Sequence, residues 1–177
     1  MFWEFDCVCE FNEGFAAVQK DGKWGYINTK GEQIVECKFD DAYYFNEGFA
    51  RVKKDGKWGY INTKGEQIIE CKFDYAYCFS EGFAWVEKDG KWGYINTKGE
   101  QIIECKFDFA WSFNEGLAAV QKDGKCGYIN TKGEQIVECK FDDAYDFNEG
   151  FARVKKDGKW GYINTKGCSV IFDESKK

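Results

Sequence analysis

The chain has 177 residues, with 31 acidic and 25 basic side chains, no histidine and no proline, and a net charge of −6; 44% of it is hydrophobic and 19% aromatic. So much apolar mass excludes a disordered chain. The interspersed lysines and glutamates argue against a nucleic-acid binder, which presents a basic stripe, and no apolar run approaches the roughly 20 residues of a membrane span.

The first ten residues, MFWEFDCVCE, have neither a basic n-region nor a long apolar h-region, so a secretory signal is not expected and the location implied is cytoplasmic. Phe5-Asp6 aligns with Phe39-Asp40, so this stretch reads as the tail of a preceding unit or a closing segment. From Phe11 the chain repeats with a period of 34 residues, in units 11–44, 45–78, 79–112, 113–146 and 147–177, all within a single domain spanning 1–177. The twelve residues DGKWGYINTKGE recur from Asp21, Asp55 and Asp89, then from Asp123 with Cys126 in place of Trp, and a shortened copy starts at Asp157.

Within the first unit, GFAAVQK reads as a strand that ends at Asp21-Gly22, the signal for a two-residue type I′ hairpin. KWGYIN is the second strand. TKG closes a second turn, with Gly31 suited to a left-handed position, and EQIVECKF is the third strand. DDAYYFNEG reads as a connector. The hairpin register sets Val18 opposite Gly25 and Ala16 opposite Ile27 on one face, and Phe15, Ala17, Trp24 and Tyr26 on the other. Both faces are apolar, and a lone meander of this size is marginal, so each unit must be covered by its neighbours. Trp24, Trp58, Trp92 and Trp160 are expected to pack between units. Gly25, Gly59, Gly93, Gly127 and Gly161 are expected to admit a close neighbour at the middle strand. The predicted fold is all-β: five three-stranded antiparallel meanders in a closed propeller-like ring sealed by residues 1–10, or alternatively an open β-solenoid.

KWGYINTKGE, preceded by GFAxV and followed by CKFDxAxxFNEG, resembles the WG-containing (KWG) repeat family of bacterial proteins, over nearly the whole chain. Cys126 is the departure from its pattern. The resemblance implies a β-repeat and a role in interaction, and it implies no particular activity.

No catalytic constellation is present. Without histidine there is no Ser-His-Asp or Cys-His pair, and no phosphate-binding glycine loop precedes a helix. The carboxylates Glu36 and Asp40 recur identically in successive units, which suggests structural or surface roles. No cofactor is implied. Cys37, Cys71, Cys105 and Cys139 are read as small buried hydrophobes. Zinc is not expected without histidine or a C-x-x-C pair, Cys7 and Cys9 being the one close couple.

Differences between units gather at a few places: Ala17, Arg51, Trp85, Ala119, Arg153; Gln19, Lys53, Glu87, Gln121, Lys155; Asp41, Tyr75, Phe109, Asp143; Tyr44, Cys78, Ser112, Asp146; and Tyr43, Tyr77, Trp111, Tyr145. A position that accepts Ala, Arg and Trp is expected to be at least partly exposed, since overfilling a core costs about 1–3 kcal/mol. Arg, Trp and Tyr are frequent interface anchors. The candidate binding residues are therefore Arg51, Trp85, Arg153, Tyr75, Phe109 and Trp111. The function expected is a monomeric, non-catalytic scaffold for an unidentified protein or peptide partner. The alternative is a carbohydrate- or cell-wall-binding module using exposed aromatics.

Overall fold

The structure is a computed structural model that describes residues 4–170. Five four-stranded antiparallel sheets follow one another along the chain. The first comprises β1 (Cys7–Val8), β2 (Phe15–Lys20), β3 (Lys23–Asn28) and β4 (Gln33–Phe39); the second β5 (Asp41–Ala42), β6 (Phe49–Lys54), β7 (Lys57–Asn62) and β8 (Gln67–Phe73). The third holds β9 (Tyr75–Ala76), β10 (Phe83–Lys88), β11 (Lys91–Asn96) and β12 (Gln101–Phe107). The fourth is β13 (Phe109–Asn114), β14 (Leu117–Lys122), β15 (Lys125–Asn130) and β16 (Gln135–Phe141), and the fifth β17 (Asp143–Asn148), β18 (Phe151–Lys156), β19 (Lys159–Asn164) and β20 (Ser169–Val170). In every sheet the strands are ordered as in the chain, and none closes on itself. The chain forms two compact units, Met1–Asp89 with Ile95–Glu100 and Gly90–Tyr94 with Gln101–Lys177.

The expected unit of three strands is corrected to four. The segment read as a connector carries the outermost strand, which turns back at Glu-Gly. Asn12 bridges Phe15, and Glu13 (φ 49°) and Gly14 (φ 83°) both adopt left-handed backbone, the signature of a type I′ turn. The pattern recurs at Glu47-Gly48 and Glu81-Gly82. Non-glycine residues rarely adopt positive φ, so the sequence signal for this turn was weak. The folded unit is also phased differently: the sheets meet at Asp40, Asp74, Asp108 and Asp142. The described part of residues 1–10 pairs within its own sheet, Cys7 opposite Gln19 and Val8 opposite Val18. The fifth sheet takes its fourth strand from Ser169–Val170. The pairing of residues 1–10 with the fifth sheet expected from the sequence is therefore not seen among the described residues, and residues 1–3 and 171–177 lie outside them.

The other turns are as expected. Asp21 (φ 52°) and Gly22 (φ 74°) form the first hairpin, and the register pairs Val18 with Gly25 and Ala16 with Ile27. At Gly31 (φ 78°) the second turn is held by Asn28, whose Oδ1 accepts from Lys30 N and Glu32 N at 2.9 and 3.0 Å. The glycine of the Trp-Gly pair has a more specific role than expected. A Cβ on Gly25 would lie 2.4 Å from Val35 O and 2.8 Å from Cys37 N, both backbone atoms of β4. The close approach thus comes from the next strand of the same sheet, where Trp24 pairs with Phe39 but Tyr26 already pairs with Val35 and the register shifts between them. Gly59, Gly93 and Gly127 repeat this geometry; the residues that would face Gly161 lie outside the described ones.

Successive sheets dock through three repeated devices. Phe45 plugs against Phe15 and Tyr26 of the preceding sheet, with ring centroids 4.8 and 5.1 Å away, and Phe79 does the same to Phe49 and Tyr60 at 4.8 and 5.0 Å. The Tyr26 phenol donates to Tyr43 O at 2.6 Å, and burial pushes its ionisation far above the usual range. Each boundary aspartate forms an exposed ion pair with a lysine of the sheet before it, Asp40 with Lys23 and Asp74 with Lys57; Asp74 also accepts from Asp89 N at 2.8 Å in the turn ahead. Finally, the turn glutamates form a ladder. Both carboxylate oxygens of Glu13 accept at 2.9 Å, from Glu47 N and Gly48 N, and Glu47 does the same for Glu81 N and Gly82 N. The two N–H groups of a type I′ turn point outward together, so one carboxylate satisfies both.

Candidate binding surface

The variable positions do not form an exposed strip. Ala17, Arg51 and Ala119 are buried, Trp85 is partly buried and Arg153 is exposed, so the expectation of exposure is corrected for the first three. They lie opposite Tyr26, Tyr60 and Tyr128 on the second strand of their sheets, on the face that packs toward the next sheet.

In the first compact unit these residues build a stacked column. The Arg51 guanidinium lies 3.6 Å from the Tyr43 ring centroid and 5.5 Å from that of Tyr77, with Trp58 at 5.1 Å and Tyr75 at 5.7 Å. Its Nη1 donates to Ala76 O. Tyr77 stacks flat on Trp85, with centroids 4.2 Å apart and planes at 12°. Arg51 is only 7% exposed, and its Nε and Trp85 Nε1 are buried without a hydrogen-bond partner among the described residues. Ring faces, with their negative quadrupole, hold the cation in place.

The column has an open end. Where the second sheet has Arg51, the first has Ala17, and a cavity of about 520 Å³ lies there, lined by Cys9, Glu10, Phe11, Ala17, Ala42 and Tyr43 among others. Tyr43 is 36% exposed and Phe11 50%.

In the second unit Phe109 and Trp111 meet edge to face at 4.7 Å, and Phe109 lies 5.3 Å from Trp92. Cys126, standing where the other units have tryptophan, is 2% exposed, and burial pushes its thiol up to about 11. On the fifth sheet the Arg153 guanidinium sits 4.2 Å from the Trp160 ring centroid and 5.9 Å from that of Tyr145. Tyr145, Phe151, Trp160 and Tyr162 are all exposed, and Tyr145, Phe151 and Tyr162 line, with Arg153, a cavity of about 420 Å³. Of the sequence-predicted residues, the structure therefore gathers Arg51, Tyr75 and Trp85 in one column, pairs Phe109 with Trp111, and places Arg153 in an open patch. Sequence reasoning missed Phe151 and Tyr162 as surface residues, because their counterparts in other repeats gave no signal of exposure; Tyr43 and Tyr145 stood at a variable position but were not singled out as binding residues.

Trp58 and Trp92 are buried and Trp24 is partly buried, whereas Trp160 is 40% exposed, so the expectation of packing between units is corrected there. Cys37, Cys71, Cys105 and Cys139 are partly buried rather than fully so; the Sγ of Cys37 lies 3.8 Å from Val18 O and 3.6 Å from Gln33 Nε2. All nine thiols are free, and among the described residues no three His, Cys, Asp or Glu side chains are placed to hold a metal ion.

A family model described as "WG containing repeat" matches residues 4–24, 24–58, 58–92, 92–126 and 127–160. No curated protein matches the chain. Among solved structures, one titled "Crystal structure of the eukaryotic initiation factor" superposes with a TM-score of 0.59 at 14% identity, over 92% of this chain and 52% of that one. Kluyveromyces lactis Hsv2 superposes with a TM-score of 0.53 at 12% identity, over 93% of this chain and 62% of that one. This chain thus spans half to two thirds of those proteins, and at such identity the likeness shows the fold alone.

Proposed function

The chain belongs to the WG containing repeat family, and from that premise we propose that it is a non-catalytic repeat scaffold for protein or peptide interaction. One observation carries this reading. Tyr26, Tyr60, Tyr94 and Tyr128 are at most 1% exposed, yet their counterpart Tyr162 is 42% exposed, together with Phe151 and Trp160. The fifth sheet thus presents the same ring surface on which Phe45 and Phe79 dock in earlier repeats. An exposed cluster of Tyr, Phe, Trp and Arg side chains of this kind supports a docking surface, and its shape suits an apolar side chain of a protein partner. The carbohydrate reading needs exposed tryptophans across the repeats, and the burial of Trp58 and Trp92 removes that support.

The test is affinity capture from the native host, followed by measurement with the purified captured protein. Replacing Arg153 and Tyr145 by Ala should weaken binding at least about tenfold, since hot-spot truncations cost about 2 kcal/mol or more. Retention of the wild-type Kd by that double variant, with the fold intact by circular dichroism, refutes this face. Arg51 is left out of the test because it is part of the core.

A further inference from the structure

We propose that the cavity beside Ala17 is a binding site for the guanidinium of an arginine side chain presented by a partner peptide. The inference rests on the scaffold reading and names the chemistry of one of its contacts.

The chain itself shows how this site is filled. One repeat further on, the corresponding position is Arg51, whose guanidinium lies 3.6 Å from the Tyr43 ring centroid and 5.5 Å from that of Tyr77 and donates to Ala76 O. Shifted by one period, Ala17 replaces Arg51, Cys9 replaces Tyr43, Tyr43 replaces Tyr77 and Ala42 replaces Ala76. Both Tyr43 and Ala42 line the cavity. The counterpart of the Tyr77 ring and the residue bearing the acceptor carbonyl are therefore in place, Cys9 stands where the nearer ring would be, and the side chain that occupies this place in the second sheet is missing from the first. Its volume, about 520 Å³, falls within the range of roughly 300–1,000 Å³ for ligand pockets.

Charge selects the occupant. In the third sheet the same position holds Trp85, so an indole also fits the column. Two differences favour a cation at Ala17. Glu10 lines the cavity, and Asp41 stands at the position of Tyr75, which faces Arg51 at 5.7 Å. A carboxylate in each place favours a guanidinium over an indole. Arginine is preferred to lysine because a planar guanidinium can stack on Tyr43 and donate in its own plane at the same time, whereas an ammonium cannot. The incoming group adds one layer to the series Tyr43, Arg51, Tyr77, Trp85.

The probe is the capped tripeptide acetyl-Gly-Arg-Gly-amide, titrated into the full chain and followed by amide chemical shifts. Saturable binding is expected, with the largest shifts at Ala17, Ala42 and Tyr43. The lysine and tryptophan analogues should bind at least about tenfold more weakly. Ala17→Arg should fill the cavity from within, as Arg51 does in the next sheet, and abolish binding. Should that variant fail to fold, Glu10→Gln, a change on an exposed residue, should weaken binding about threefold. Absence of binding at millimolar peptide, equal binding by the tryptophan analogue, or undiminished binding to a folded Ala17→Arg overturns the proposal. The fifth-sheet test is independent of this one, so failure here leaves the scaffold reading standing.

Discussion

Replacing Gly59 by alanine tests the central structural argument about the Trp-Gly pair. A Cβ at this position would lie 2.5 Å from Ile69 O, 2.8 Å from Cys71 N and 2.8 Å from Glu70 C. All three are backbone atoms of β8, so no side-chain rotation relieves the clash. To restore ordinary contact, β8 must retreat by about 1 Å, which forfeits much of the local van der Waals attraction. The retreat loosens the hydrogen bonds that flank the register shift between Trp58 and Tyr60. Each is worth about 1 kcal/mol, in addition to about 1–3 kcal/mol for overfilling a packed site. A loss of roughly 3–4 kcal/mol is expected, which in a chain of this size lowers Tm by roughly 6–16 °C. The control is Gly56 in the same repeat, where φ is 78° and nothing lies within 4 Å. Its requirement is conformational only, and asparagine tolerates that backbone, so Gly56→Asn should stay within about 0.5 kcal/mol. Urea unfolding followed by circular dichroism reads both variants. Equal midpoints for Gly59→Ala and the wild type refute the close-approach argument, as does a Gly56→Asn variant that is equally destabilised.

Glu47→Gln removes one of the two carboxylate oxygens that accept from the Glu81-Gly82 turn, and should cost about 0.5–1.5 kcal/mol in the same urea assay. Arg51→Ala should cost about 0.5–2 kcal/mol through lost ring contacts and open a second cavity like the one at Ala17, detectable as enhanced binding of free guanidinium ion by shift titration. With a thiol reagent at pH 8, exposed Cys7, Cys9 and Cys168 should react promptly, while buried Cys126, its thiol pushed up to about 11, should react only on unfolding. The lysine hydrogen bonds to Asp40, Asp74, Asp108 and Asp142 hold these carboxyls below their usual value of 3.8. A depressed folded value stabilises above 3.8 and is lost as pH falls through the folded value, so Tm should be level near neutrality and fall below about pH 4, and Asp74→Asn should flatten that slope.

Much of the fold could be read from residue order alone. Asp21-Gly22 fixes a two-residue turn and thereby the register, and the register fixes which side chains share a face. These are local consequences of backbone sterics, so the opposition of Val18 to Gly25 and of Ala16 to Ile27 needed no knowledge of the rest of the molecule. The apolarity of both faces likewise implied that sheets cover one another. The fourth strand was harder to see, because its turn relies on a glutamate at positive φ. That conformation is unfavourable in isolation, and the N–H groups of the Glu47 and Glu81 turns are held by a carboxylate of the sheet before, a contact that no short window of sequence contains. The same holds for the binding surface. Variation at Ala17, Arg51 and Trp85 suggested solvent, yet burial depends on which aromatic ring the following sheet delivers: Tyr43 reaches Ala17 from 26 positions on, and Tyr75 and Tyr77 reach Arg51 from 24 and 26. Local chemistry therefore determined the strands, the turns and the facing of each repeat. Packing between sheets, which depends on contacts distant in sequence, decided that Arg51 lies in a column of rings, that the place beside Ala17 is open, and that the rings of the fifth sheet face solvent.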